Sequence, residues 1–298
     1  MTRPTFRIGA VFPQNEIEQD AGTARAFAQA IEDMGYSHLV AYDHVIGAGL
    51  TSRPNYEEAY SVNDSFCEPL ILFGYLAGVV RRLSFMSAVF ILPQRQTVLF
   101  AKQAANLDIL CEGRLRLGVG LGWNDIEYEA LGVPFEGRAS RFEDQIPLLR
   151  RLWTEQTVTV DTPYHRISDA GLNPLPFQRP IPLWLGGNKE AALKRAARIG
   201  DGWVPYLPAD DADRVMSQFK QSVSAAGRDP AEIGVENILM MGARPDGRSA
   251  LDVEAVAHDI ERWRKAGAEG VCVSTMRMNF TRSEQHLAMF ERVVKLAL

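Results

Sequence analysis

Two rhythms alternate along this chain: short apolar runs, and longer stretches in which apolar residues recur every three or four positions. Phe6 to Phe12 is a mostly apolar run ending at Pro13, a first strand. Asp20 then caps a helix with Ala24, Phe27, Ala28, Ile31 and Met34 on one face and Gly35 at its end. His38 to Tyr42 is a second strand that runs into Asp43-His44. Val45 to Asn63 is long for a connection and is a candidate lid. Ser65-Phe-Cys-Glu68 has capping-box spacing for a helix reaching Val80, with Pro69 in its first turn. Leu83 to Leu92 is a third strand, and a helix spans about Val98 to Leu110. Arg114 to Gly122 is a fourth strand.

The rhythm is then interrupted. Ser140-Arg-Phe-Glu143 is a second capping box, opening a helix through Trp153 with Phe142, Ile146, Leu149 and Trp153 on one face. From Thr154 to Arg179 Pro, Asp and Tyr accumulate, an excursion holding one short strand at Thr157 to Val160. Strands resume at Ile181 to Leu185, Gly202 to Leu207, Ile233 to Met241 and Val271 to Thr275. Helices follow at about Asp210 to Ala226 and Ala250 to Ala266, and Thr281-Arg-Ser-Glu284 caps a last one. Eight apolar runs alternating with eight helical patterns predict an α/β fold, a (β/α)8 TIM barrel with an insertion after strand four. All 298 residues fit one such domain, 1–298. A doubly wound sheet needs a glycine fingerprint after strand one, and Phe12-Pro13-Gln14-Asn15 has none.

The stretch from Pro182 to Trp203 organises the rest. Its strand stops at Gly186-Gly187-Asn188, and a helix follows with Asn188 as N-cap, Glu190 in the first turn, and Lys194, Arg195 and Arg198 toward the end. A strand, a Gly-Gly turn and a helix N-terminus make a seat for an anion. A tight turn needing positive φ is the plainer alternative.

Charge and composition narrow the classes. A net charge of −5 with mixed signs and no basic run argues against nucleic acid. No 18-residue apolar stretch exists to span a membrane, and the N-terminus enters a strand without a signal peptide, so the cytoplasm is the default. Cys67, Cys111 and Cys272 lie in or beside apolar runs and read as buried thiols.

In a barrel the working groups sit at the carboxyl ends of the strands. Those ends carry His44, Val89 to Pro93, Gly120 to Asn124, Gly186 to Asn188, Pro205-Tyr206, Gly242 and Thr275 to Arg277. They are poor in carboxylates, and no Ser-His-Asp order, H-x-H or H-E-x-x-H appears, so hydrolase and metal readings are weak. Such a site suits chemistry carried by a cofactor. His44 is either catalytic or structural, with Asp43 and Thr51 close enough to influence its tautomer. Trp123 and Asn124 could wall and hydrogen-bond a flat ligand, or Trp123 is core. Arg95 binds a phosphate or carboxylate, or forms an ion pair. Asp125, Glu127 and Glu129 read as a solvated helix face, and Arg138, Arg141 and Glu143 as local ion pairs and caps.

Several segments together resemble the luciferase-like monooxygenase superfamily, and within it the branch using the deazaflavin coenzyme F420. They are Tyr42-Asp-His-Val45, Ile-Leu-Pro-Gln-Arg95, Ala101 to Leu110, Gly113 to Trp123, Glu127 to Gly132, Leu183 to Gly187 and Arg195 to Trp203, in the family's order over roughly the first two-thirds of the chain. The resemblance implies a flavin-type ring at the strand ends and a cofactor phosphate at Gly186, Gly187 and Asn188. It aligns Ala88-Val89 with a non-proline cis peptide that presses on the ring, and His44 with a histidine near the hydride-bearing carbon. Gly120 and Gly122 would let the backbone approach the ring, and Asp43 and Asn124 would help bind it. One departure is Trp123, where the sugar-phosphate dehydrogenases of the family carry glutamate.

The expectation is an oxidoreductase exchanging a hydride between coenzyme F420 and a small organic substrate, with His44 as catalytic residue and the lid, Trp123 and Tyr206 shaping the substrate pocket. Rival readings are an FMN-dependent monooxygenase with a separate cofactor reductase, a flavin-binding barrel without turnover, and a cofactor-free phosphate-binding aldolase or isomerase. The resemblance also implies a homodimer joined helix to helix.

Overall fold

The computed structural model describes residues 6–53, 59–242 and 252–297. The predicted alternation is present. β1 (Arg7–Val11), α1 (Ala21–Asp33), β2 (His38–Ala41), α2 (Pro69–Ala77), β3 (Ser84–Ser87), β4 (Phe90–Ile91) and α3 (Thr97–Leu110) lead to β5 (Leu115–Gly120). Then come α4 (Asp125–Ala130), α5 (Arg138–Thr154), β6 (Val158–Asp161) and β7 (Arg166–Ala170). The repeat resumes with β8 (Leu183–Gly186), α6 (Glu190–Ile199), β9 (Gly202–Val204), α7 (Ala212–Ala225), β10 (Gly234–Met240), α8 (Val253–Ala266), β11 (Gly270–Ser274) and α9 (Ser283–Ala297).

The strands pair in parallel in the order β3-β2-β1-β11-β10-β9-β8-β5-β4, and β3 also pairs with β5 to close the ring. β3 and β4 are the two halves of predicted strand three, interrupted at Ala88-Val89, whose peptide bond is cis. Counting them as one gives the eight staves of a (β/α)8 barrel. The excursion is an antiparallel hairpin of β6 and β7, inserted after the fourth stave and its helices. It is fastened where His165 meets Asp144 of α5 through Nδ1 at 2.6 Å and Thr97 of α3 through Nε2 at 2.6 Å.

Apolar side chains fill two layers. The larger lies between helices and strands, where Phe27, Phe73, Phe100, Trp153, Phe219, Trp263 and Phe290 are fully buried. The smaller lies inside the barrel and holds Val11, Val40, Met86, Trp184, Val204, Ile238, Cys272 and Met276. At the amino-terminal end of the barrel the interior turns polar. Glu236 is ion-paired with His38, with Arg116 at 2.8 Å and with Arg7 at 3.6 Å, and accepts from the Cys272 thiol at 2.9 Å. Burial opposes charge on Glu236, but Arg116 and His38 hold its carboxyl well below the usual range.

Several local expectations need correction. Glu68 caps α2 by itself, accepting from the Ile71 amide, and Ser65 takes no part. Ser140 lies inside α5, which starts after Gly137 at φ +72°, while Glu143 is drawn off by Arg195 and Arg198 of α6. Before α9 it is Gln285, not Glu284, that accepts from the Thr281 and Arg282 amides. Asn188 does not cap α6: Lys189 occupies that position, and the Asn188 side-chain oxygen Oδ1 accepts from the Tyr206 amide at 2.7 Å. For Glu143 and Asn188 a long-range partner takes the place of the local one. Cys111 and Cys272 are buried as expected, but Cys67 is half-buried and its thiol donates to Gln19. The predicted lid, Val45 to Asn63, lies partly outside the described residues.

Candidate active site

Four of the strand ends converge at the carboxyl-terminal mouth. After β2 the chain places Asp43 and His44 side by side, with opposite fates. Asp43 is 2% exposed and turns behind the mouth. It accepts from the Ile91 amide at 3.0 Å and from Arg95 at 2.6 and 3.3 Å. Arg95 also meets Glu68 and lies over the Phe90 ring at 4.8 Å, so it is the buried ion pair rather than the free anion ligand. This pairing ties the end of β2 to the turn after β4.

His44 faces the mouth. Tyr60 and Phe66 pack on its ring, with centroids 3.8 and 4.7 Å away, and Trp123 stands at 6.3 Å. Trp123 is 41% exposed, which places it on the rim and not in the core. His44 Nδ1 is buried without a hydrogen-bond partner, so the 18% exposure of the side chain belongs to the rest of the ring, which carries Nε2.

The group facing Nδ1 is Glu127 Oε1, at 3.6 Å. The solvated face expected for Asp125, Glu127 and Glu129 therefore fails at its middle member, which is 1% exposed. Asn124 N-caps the short α4, accepting from Ile126, and that cap aims the first turn inward. Glu127 Oε1 accepts from the Val45 amide at 2.7 Å and the Ile46 amide at 3.4 Å, and Oε2 accepts from Gln94 at 3.4 Å. Burial pushes the Glu127 carboxyl up, but the facing His44 ring, the Val45 amide and Tyr60 together hold it below the usual range. Asn124 donates its other end to the Tyr60 hydroxyl at 2.7 Å, so both ends of its side chain are engaged within the protein.

The glycines at the strand ends make room for side chains. A Cβ on Gly120 would lie 2.5 Å from Val89 Cγ2, and one on Gly186 would lie 2.6 Å from Val89 Cγ1. Gly118 would meet Ser87 and Val89 in the same way, and Gly122, at φ +67°, would meet Ile91 at 2.6 Å. Val89 is thus seated among β5 and β8, and Ala88 beside it is partly exposed at the mouth. In the structure the side chains that Gly120 and Gly122 make room for are Val89 and Ile91.

Gly187 to Ala191 are exposed at the start of α6. Gly187 has φ +124°, and a Cβ there would meet Ala192 Cβ at 2.8 Å, so the turn requires glycine. Trp203 donates to the Gly187 carbonyl at 2.9 Å and holds the turn on β9. Tyr206 lies beyond it, on the wall of a cavity of about 120 Å³ that also involves Leu207, Ile238, Met240 and Asp259. The structure therefore joins His44 and Trp123 directly and sets Gly186, Gly187 and Asn188 at a separate turn of the same mouth.

Sequence reasoning missed Glu127, Tyr60 and Phe66. Glu127 carried one signal, its place three residues after a capping Asn124. Tyr60 lay in a loop without periodicity and Phe66 read as part of a helix start, and neither pointed to the site.

Comparison with known proteins agrees with this architecture. A family model described as luciferase-like monooxygenase matches residues 5–270. Rv0940c of Mycobacterium tuberculosis is 34% identical over 244 residues, covering 80% of this chain and 83% of its own. An F420-dependent secondary alcohol dehydrogenase, solved with an F420-acetone adduct, superposes with a TM-score of 0.78 at 17% identity, covering 98% of this chain and 99% of its own. A riboflavin lyase solved with modified FMN superposes with a TM-score of 0.68 at 18% identity, covering 88% of this chain and 66% of its own. The match over residues 5–270, together with a relative 34% identical over 80% of the chain, makes this chain a member of the luciferase-like monooxygenase family.

Proposed function

We propose that this protein is an F420-dependent oxidoreductase acting on a small organic substrate at the barrel mouth. The observation that carries the reading is His44: a half-enclosed imidazole with one nitrogen buried and the rest of its ring at the mouth. When bound, the deazaflavin supplies hydride transfer. The chain's own groups do the remainder. The Gly186-Gly187-Asn188 turn, with the free first-turn amides of α6, holds the coenzyme phosphate. Ala88 and Val89 form the bed of the ring. Asp43 and Asn124 support the mouth from behind. His44 accepts or donates the proton that accompanies the hydride, and Trp123 and Tyr206 border the substrate. Aromatic walls exclude water and strengthen electrostatic control of that proton.

Support for the phosphate seat is the glycine-requiring φ of Gly187 beside exposed amides. Support for a ring bed is the wedge of Val89 into glycines from two strands. FMN would use the same turn. Titrating the apoprotein with each coenzyme, followed by absorbance and fluorescence, tests the assignment. Micromolar binding of deazaflavin, with turnover lost in His44→Ala, is expected. Tight FMN binding with no deazaflavin binding would instead indicate the monooxygenase, with its partner reductase.

A homodimer and a cytoplasmic site of action belong to the same reading. Among the described residues no helix is long and apolar enough to cross a membrane. Ile71 and Tyr75 on α2, and Val98, Leu99 and Leu110 on α3, are exposed on adjoining helices and suit helix-to-helix pairing with a second copy. Sedimentation of wild type against Leu99→Glu measures it: a monomeric wild type removes the dimer from the proposal.

A further inference from the structure

Among the described residues, Glu127 is the carboxylate that faces the His44 ring. It reaches that ring from α4, which follows β5, one stave beyond the β3–β4 neighbour of β2. Its Oε1 is fixed by the Val45 and Ile46 amides, and Gln94 bonds the second oxygen, so the carboxylate has little freedom to turn away. The ring is held as firmly, between Tyr60 and Phe66.

Consider the two neutral forms of the imidazole. With the proton on Nε2, a bare Nδ1 lone pair would face the lone pairs of a buried carboxylate oxygen at 3.6 Å, and Nδ1 would have no donor to satisfy it. With the proton on Nδ1, a small approach gives a charge-assisted hydrogen bond, of the class that contributes most when buried. We infer that Glu127 is a positioning residue for His44: it fixes the neutral Nδ1–H tautomer and thereby presents Nε2 to the mouth as a proton acceptor. A proton taken up at Nε2 then creates an imidazolium whose charge faces the same carboxylate. Because the Glu127 oxygen also binds the first amides after His44, the start of the lid segment and the orientation of the imidazole share one anchor. The mechanistic consequence rests on the oxidoreductase reading above; the tautomer itself does not.

Long-range ¹H–¹⁵N spectra of ¹⁵N-histidine-labelled apoprotein, recorded where His44 is neutral and assigned by the signal missing in His44→Gln, test the inference. Five histidines make that assignment tractable. Wild type should show a protonated Nδ1 and a bare Nε2. In Glu127→Gln, whose amide can donate to Nδ1, the ratio of Nδ1–H to Nε2–H forms should fall at least about tenfold. Deazaflavin affinity should stay within about threefold while turnover falls at least about tenfold, since the variant alters the imidazole and not the phosphate seat. An Nε2–H wild type, or an unchanged ratio in Glu127→Gln, overturns the inference. Should that variant fail to fold, the wild-type tautomer decides alone. An Nδ1–H wild type that binds no deazaflavin sinks the coenzyme assignment and leaves the positioning role standing; the opposite pair of results does the reverse.

Discussion

Replacing Gly120 with alanine puts the packing of the ring bed to a direct test. The new methyl would lie 2.5 Å from Val89 Cγ2, where carbon contacts ordinarily settle at about 3.5–4.0 Å. One of the two must therefore move by about 1 Å. Val89 has little room to yield: it is stiff at χ1, and turning away from Gly120 drives Cγ1 toward Gly186, whose own Cβ position lies 2.6 Å from it. Overpacking of this kind costs about 1–3 kcal/mol. The lost entropy of the unfolded glycine returns about 0.4–1 kcal/mol, because Gly120 has no positive φ. A net loss of about 1–2 kcal/mol is expected, read as a lower urea midpoint at unchanged m-value. The decisive comparison is the double variant Gly120→Ala with Val89→Ala. Removing both Val89 methyl branches relieves the collision, so the pair should be less destabilised than the sum of the singles by about 1 kcal/mol or more. Additive effects would refute the wedge, as would a Gly120→Ala protein at least as stable as wild type.

The other buried devices make sharper demands. Arg95→Ala should cost about 3–5 kcal/mol by stranding Asp43, and Arg95→Lys should recover little, because a single ammonium cannot reach both Asp43 oxygens, the Glu68 carboxylate and the Phe90 face together; urea unfolding measures both. Glu236→Ala should cost a similar amount by leaving Arg116 unpaired in the barrel interior. Glu236 has a depressed folded pKa, so its contribution is complete above its unfolded value and fades as pH falls below about 5; the variant's stability should change less than wild type's over that window. His286 is buried against Thr275, and burial lowers it to about 4. Its unfolded form binds the proton first, so stability should be lost as pH falls from about 6.5 toward 4, and His286→Gln should flatten that stretch of the profile. His165→Ala should speed amide exchange across the β6–β7 hairpin relative to the barrel strands, since it removes the link between Asp144 and Thr97.

The legibility of this fold varied with the range of the interaction. The run from His38 into Asp43-His44 ended at the mouth as read, because a buried parallel strand is apolar throughout and its end is marked by the first polar residues. The Asp20 cap held, because donor and acceptor are neighbours in sequence. The three capping boxes failed in different ways: Glu68 caps α2 itself, Glu143 goes to Arg195 and Arg198 of α6, and Gln285 takes the place of Glu284. Asn188 had the right residue type for a cap and was claimed instead by the amide of Tyr206, from the loop after β9.

By itself the sequence determined the alternation of strands and helices, the place of the insertion, the glycine turn before α6 and the candidacy of His44. Each of these is written in residues adjacent in the chain, or in a periodicity that burial imposes directly. Only the tertiary structure decided that Asp43 turns away to Arg95, that Val89 occupies the hollow left by glycines of two other strands, and that Glu127 leaves the solvent face of its helix to meet His44. Those outcomes depend on distances between residues some 30 to 100 positions apart, from the pair Val89 and Gly120 to the pair Val89 and Gly186. A buried charge goes to whichever partner can neutralise it, and that partner is set by ring closure of the barrel, which no local pattern records.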